Sequence, residues 1–395
     1  MLENAISALS CVYLGKIKHD EFMIRYGIEL YNKAISQLAR MLSQNSVNVE
    51  TLYATIVFQT LEAIYCSYGL RAWISHAEAT GKLFQRFHKS LTGSPIEQAI
   101  YDHQKLALIY SAATASDFTR NYNRVLHTQL VSPLDEIFEL YVGISSLINE
   151  VNRVAFSDNK AAQRILAACL AQREKISQWY VQRGHILGQY PSSYSADSLS
   201  HTAPSSIDLF GLPYNFVNLD TARLYILYWT TCLLAELLVY KVSASMISPR
   251  DGRQRANAEI RELRNTEQCL IAESYADEIC RCLQYCLQPE TNACGVHIIV
   301  ASLNHVYKPY ALLRRREKFQ WCQDAFKAIS NRGLALASIL SHAGRDVWHF
   351  HEGSNGPQST QIPLQDTIEP PLIPNKDDSV KLLLLQMGKG RRTIE

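Results

Sequence analysis

LDTARLYILYWTTCLLAELLVY, residues 219–240, is the stretch on which the fold turns. Leu224, Leu227, Tyr228, Thr231, Leu234, Ala235 and Leu238 recur at the three-and-four spacing of one helix face, while Ile226, Trp229, Leu233, Leu237 and Tyr240 make the opposite side apolar as well. A helix apolar all round belongs in a protein interior or in a bilayer. About 20 apolar residues can cross a membrane, but Arg223, Thr230, Thr231 and Glu236 interrupt this run, so the sequence predicts the central helix of a large helical domain. Asn218 is placed to cap its start, Asp220 sits in the first turn and Lys241 lies near the negative end of the helix dipole.

Outward from that helix, the same periodicity fills most of the chain. Residues 2–16 and 19–43 form two amphipathic patterns, followed by 50–67 and 72–90, with Leu52, Ile56, Gln59, Leu61 and Ile64, then Trp73, His76, Ala77, Leu83, Phe84 and Phe87, on their inner faces. Gly93, Ser94 and Pro95 mark a turn before the helical run IEQAIYDHQKLALIYSAATA, and Pro133 opens LDEIFELYVGISSLINEVNRVAF. Residues 160–184 give one more long helix. Residues 189–217, with Pro191, Pro204, Pro213 and many serines, read as a loop crossing to the central helix. After a break at Pro249–Arg253, helical patterns return over 257–287, 295–303 and 310–340. The expected fold is all-α, one multi-helix domain over residues 1–351 around a buried central helix. Residues 352–395 hold five of the chain's 13 prolines and read as a disordered tail whose one apolar knot is Val380 to Met387.

At 395 residues the chain can bury a substantial core, and its net charge of +2 announces no field for nucleic acid. The leading segment MLENAISALSCVYLGKIKHDE carries Glu3 and no basic leader, which argues against a secretory signal. The ten cysteines lie mostly within apolar helical patterns, as reduced thiols packed like small hydrophobes do.

Chemical motifs are sparse. Cys269, Cys280, Cys282, Cys286 and Cys294 form the densest thiol group, and Cys282 and Cys286, one turn apart, could share a metal with His297. Their neighbours Ile279, Leu283 and Leu287 favour core packing instead, and His297 and His305 read as satisfied histidines of packed helices. The only Asp-Asp pair, Asp377 and Asp378, falls in the tail, which argues against a diphosphate-binding helical cyclase. No GxxxxGK(S/T), GxGxxG after a strand, HExxH or GxSxG is present. No catalytic, cofactor-binding or metal-binding residue is therefore assigned, and a non-enzyme is expected. Arg314, Arg315, Arg316 and Lys318, and again Lys389, Arg391 and Arg392, are basic runs that fit either a nuclear import signal or a solvated helix face.

Three blocks in this order resemble the helical regulatory domain, the middle homology region, of fungal binuclear-zinc-cluster transcription factors. The first joins AISALS, RYGIELYNKAISQLARML, LYATIVFQTLEAIY and WISHAEATGKLFQRF, with Tyr26, Gly27, Ala34, Leu52, Ala54, Glu62, Trp73, His76 and Gly81 at matching places. The second is FVNLDTARLYILYWTTCLLAELLVY, and the third runs from Tyr275 through ADEICRCLQYCL to FKAISNRGLALASIL. The zinc cluster's paired C-x2-C-x6-C spacing is missing, so direct DNA recognition does not carry over; that segment is either lost or lies outside this chain. The resemblance implies a nuclear regulator of metabolic or secondary-metabolite genes. It would work through protein contacts, as a homo-oligomer or with a DNA-binding member of the same family, and could answer to a small-molecule effector. A helical scaffold unrelated to transcription and a helical enzyme of another kind stand as the alternatives.

Overall fold

A computed structural model of the chain describes residues 1–65, 70–87, 132–153, 159–187, 192–193, 204, 207–246 and 255–353. They are helical almost throughout. The chain divides into two compact units, one of residues 1–111, 330–339 and 367–395, the other of 112–329 and 340–366.

In the first unit, α1 (Leu2–Lys18) and α2 (Glu21–Ser43) form an antiparallel hairpin. The turn is tight for local reasons. His19 takes the left-handed conformation at φ 55°, and the Asp20 carboxylate accepts hydrogen bonds from the Phe22 and Met23 N–H groups, both at 3.0 Å, to start α2. Ala5, Ala8 and Val12 pack with Tyr31, Ala34, Ile35 and Leu38 between the helices. The next helices, α3 (Val49–Tyr65) and α4 (Leu70–Phe87), bury Leu52, Phe58, Leu61, Trp73 and Ala77, with Leu52, Phe58 and Leu61 each contributing roughly 1.5–3 kcal/mol. The C-terminal end of α3 is satisfied from outside the helix: the Ile64 carbonyl accepts from Lys16 Nζ at 2.5 Å and from the Ala335 N–H at 3.3 Å.

The second unit is built on α8 (Leu219–Ser245), the helix expected from residues 219–240. Its start is capped as the sequence predicts, with Asn218 Oδ1 accepting from the Thr221 N–H at 2.8 Å. Side chains on every face are buried from Ala222 to Val239, and 89% of its most apolar 18-residue window is covered by protein. Thr230 and Thr231 fit because their hydroxyls donate back to the Ile226 and Leu227 carbonyls at 2.6 and 2.7 Å. Around it pack α5 (Pro133–Arg153), α6 (Asn159–Leu187), α9 (Arg255–Arg281) and α11 (Asn292–Leu312). Ser132 caps α5 through a reciprocal bond with Asp135, and Pro133 occupies the first helical position. Val151, Ile165, Cys169, Leu238, Val239 and Val242 make one continuous core cluster.

Several sequence-read boundaries differ. The crossing segment 189–217 contains a helical turn, α7 (Ile207–Phe210), and a two-residue antiparallel ladder of β1 (Ser192–Ser193) with β2 (Tyr214–Asn215). The expected 257–287 helix stops at Arg281 and resumes as α10 (Leu283–Cys286). Helix α11 does not end at Leu303 but runs on through Pro309. That proline sits in the last turn, where its missing N–H removes a single bond while Val306, Tyr307, Tyr310 and Ala311 remain buried. The 310–340 pattern is two helices, α12 (Arg316–Asn331) and α13 (Leu336–Gly353), separated from their predecessors by Arg314 at φ 57° and Gly333 at φ 94°. The helical run after Pro95, the Asp377–Asp378 pair, the terminal basic run and the tail beyond Gly353 lie outside the described residues.

Candidate functional site

Among the described residues, the richest assembly of charged side chains stands where α9 meets the start of α12. Glu273 and Asp277, one turn apart on α9, present two carboxylates to the same side. Lys318 reaches both, with its Nζ at 2.8 Å from Glu273 Oε1 and at 2.9 and 2.7 Å from the Asp277 oxygens. Arg315 makes a two-pronged pair with Glu273, Nε to Oε1 at 2.9 Å and Nη2 to Oε2 at 3.2 Å. The Tyr310 hydroxyl donates to Asp277 Oδ1 at 2.8 Å, and Cys280 Sγ lies 3.4 Å from that hydroxyl. Beside the pairs opens a cleft of about 600 Å³, lined also by Leu209, Ser274, Arg314 and Arg316.

The two acids titrate in opposite directions although they share a lysine. Burial acts on the Glu273 carboxyl to raise its pKa, but the hydrogen bonds of Lys318 and Arg315 outweigh burial and hold it below the ordinary value. For Asp277, which lacks the arginine, burial dominates and the pKa is raised against the pull of Lys318. Burial opposes the charge of Lys318 too, and its bonds to Asp277 and Glu273 overcome it, raising the ammonium pKa. Arg315 and Lys318 of the internal basic run are thus committed to pairing within the protein, and Arg314 and Arg316 at the cleft rim are exposed. With each acid matched by a cation, the arrangement suits a clasp and a charged recognition surface better than proton transfer.

One turn further along α9, Arg281 stacks 3.7 Å above the Tyr214 ring and donates from Nε to the Leu212 carbonyl at 2.9 Å. Tyr214 donates to Glu278. This fastens the segment before α8 onto α9.

A second polar group lies in the first unit, and no motif announced it. Tyr31, Glu62 and His76, from α2, α3 and α4, are all buried. The Tyr31 hydroxyl donates to Glu62 Oε1 at 2.8 Å, and its oxygen is 3.0 Å from His76 Nε2. Since that hydroxyl has one proton, Nε2 must supply the other, which leaves His76 Nδ1 a bare acceptor; it has no partner, and neither has the buried Gln59 Oε1 of α3. Burial pushes the His76 pKa down to about 4.

The thiols divide. Cys269, Cys280, Cys282 and Cys286 are buried as the sequence suggests, whereas Cys294 is exposed. Burial lifts the Cys269 thiol to about 12, far from the range of a reactive thiolate. Among the described residues no set of three His, Cys, Asp or Glu side chains is arranged to hold a metal ion. His305 departs from the satisfied histidine expected of it, because its Nδ1 is buried without a partner. No family model, curated protein or solved structure matches this chain.

Proposed function

We propose that this chain is a nuclear transcriptional regulator that acts through protein contacts, resembling the middle homology region of fungal zinc-cluster factors and serving metabolic or secondary-metabolite genes. The reading is supported by the agreement between the three resembling blocks and the helical architecture: the first spans α1 to α4, the second is the buried α8, and the third runs from α9 into α13. The observation that carries the protein-contact part is the exposure of large apolar side chains on each helix of the α1–α2 hairpin. Phe22 is 75% and Ile17 54% exposed, with Ile6 and Tyr26 about half exposed. Ile6 and Ile17 fall on one side of α1 three turns apart, and Phe22 and Tyr26 are one turn apart on α2. Exposed apolar side chains that gather on a surface mark association sites, and on the reading that the zinc-cluster segment is lost, the regulator reaches promoters by holding a protein that has one.

The test uses the full chain and a double variant, Ile17→Asp with Phe22→Asp, checked for unchanged helicity by circular dichroism. Wild-type protein should recover a zinc-cluster DNA-binding regulator from nuclear extract and occupy promoters only while that partner is present; the variant should lose both. Recovery of cytoplasmic proteins alone favours the scaffold alternative.

A further inference from the structure

The cleft beside the α9–α12 clasp carries a surplus of positive charge at its mouth. Four cations, Arg314, Arg315, Arg316 and Lys318, and three acids, Glu273, Asp277 and Glu317, line it. The inner charges are matched: Arg315 and Lys318 hold Glu273 at 2.9 and 2.8 Å, and Lys318 holds Asp277 at 2.7 Å. Of the lining acids, that leaves Glu317 alone to balance Arg314 and Arg316, all three being exposed. Arg316 forms no ion pair with a described residue. The apolar part of the lining is open too, with Leu270 of α9 45% exposed and Leu209 of α7 half-buried.

The backbone fixes where these arginines leave the surface. The chain turns through Arg314 at φ 57°, the Arg315 N–H donates to the Tyr310 carbonyl at 2.8 Å, and the Arg316 N–H donates to the Arg314 carbonyl at 3.0 Å. The Arg315 guanidinium is in turn locked on Glu273 through Nε and Nη2. A turn held in this way lowers the ordering cost of binding at the rim. Small-molecule sites are enclosed and lined mostly by apolar side chains. This cleft, of about 600 Å³, sets two leucines among seven charged residues and is exposed along its rim, which suits a few side chains of a larger partner.

We propose that the cleft is a docking site for an acidic, leucine-containing segment of a partner protein. A carboxylate of the segment pairs with the Arg316 guanidinium, Arg314 adds to the positive rim, and an apolar side chain of the segment enters beside Leu209 and Leu270. Nucleic acid fits the pattern less well, because Glu317 repels phosphodiesters at the mouth and no aromatic ring is among the lining residues to stack a base. The site belongs to the second unit and depends neither on the transcriptional reading nor on the α1–α2 hairpin of the first.

The test selects a phage-displayed library of random peptides on the immobilised full chain. Selection should enrich segments that combine Asp or Glu with Leu, Ile, Met or Phe. The most enriched peptide, synthesised with a fluorescein label, should bind the wild type in an anisotropy titration, with an affinity that falls as sodium chloride rises. Arg316→Glu and Leu270→Ser, both changes of exposed side chains and both checked for unchanged helicity by circular dichroism, should each weaken that binding at least tenfold. No enrichment, enriched peptides without acids, wild-type binding that ignores salt, or equal binding by wild type and both variants overturns the proposal. So does a labelled single-stranded oligonucleotide that binds the wild type more tightly than the peptide and loses that binding in Arg316→Glu.

Discussion

Acidification should loosen the first unit through His76, by an amount that its surroundings fix. The ring is fully buried, its pKa is pushed down to about 4, and protonation would create an Nδ1–H with no acceptor in place. In the unfolded chain the same side chain titrates near 6.5. Between these values the unfolded state holds a proton that the native state refuses, so stability falls as pH drops from 6.5 towards 4. Working the two titrations through at pH 5 gives a loss of about 2 kcal/mol relative to pH 7, rising towards about 3 kcal/mol near pH 4. His76→Gln keeps a donor for the Tyr31 hydroxyl oxygen and removes the titration. Urea unfolding of wild type and variant at pH 7 and pH 5, followed by circular dichroism, isolates the effect: His305 belongs to the other unit and cancels in the difference. The wild type should lose about 2 kcal/mol more than the variant over that interval. Equal pH sensitivity, or a His76 ring signal in NMR that titrates near 6.5, would refute the argument.

Lys318→Met leaves Asp277 with only the Tyr310 hydroxyl while Glu273 keeps Arg315, so it should cost roughly 3–5 kcal/mol in the denaturant midpoint of the second unit. Glu236, buried on α8 with Arg173 at 3.3 Å, has its carboxyl raised by burial; Glu236→Leu should therefore be near neutral in thermal melting, within about 1 kcal/mol, where a free-standing ion pair would predict a large loss. At Gly295 a methyl group would stand 2.3 Å from the Cys286 carbonyl oxygen and 2.4 Å from Thr291 Oγ1, so Gly295→Ala should destabilise by about 1–3 kcal/mol and lower the melting temperature. Iodoacetamide on the native protein should label Cys294 first of the described cysteines, with Cys232, Cys269 and Cys286 labelled only after denaturation, as peptide mass spectrometry will resolve.

The central helix is legible because a single segment carries all its information: apolar on every face, capped by Asn218, with threonines able to bond to their own backbone. Segmentation after it is harder. The sequence patterns end at Leu303 and restart at Tyr310, but a proline in a last turn forfeits one bond, and four buried neighbours outweigh that; the break that does occur uses Arg314 at positive φ, a residue that gives no turn signal. The polar groups are invisible for another reason. The first set, Tyr31, Glu62 and His76, sits on three helices and so has no spacing to detect.

A partial signal for the first set does exist within one helix. Thr51, Thr55, Gln59 and Glu62 recur at three-and-four spacing on α3, all buried, a polar stripe along a helix otherwise apolar. Read as amphipathicity, that stripe belongs in water, and Gln59 reads as inward only because its neighbours are apolar. Yet Leu52, Ala54, Phe58, Leu61, Ala63 and Ile64 are buried on the flanking faces of α3, and its partly exposed side is the opposite one, with Tyr53, Ile56, Val57 and Thr60. The stripe is therefore an interior polar seam that must find partners on neighbouring helices. Glu62 finds Tyr31 on α2, Thr55 bonds to its own backbone at the Leu52 carbonyl, and Gln59 Oε1 is left over. A buried stripe with one acceptor unsatisfied, joined through Tyr31 to a histidine that burial holds neutral, is costly to build and is the source of the acid sensitivity predicted for the first unit.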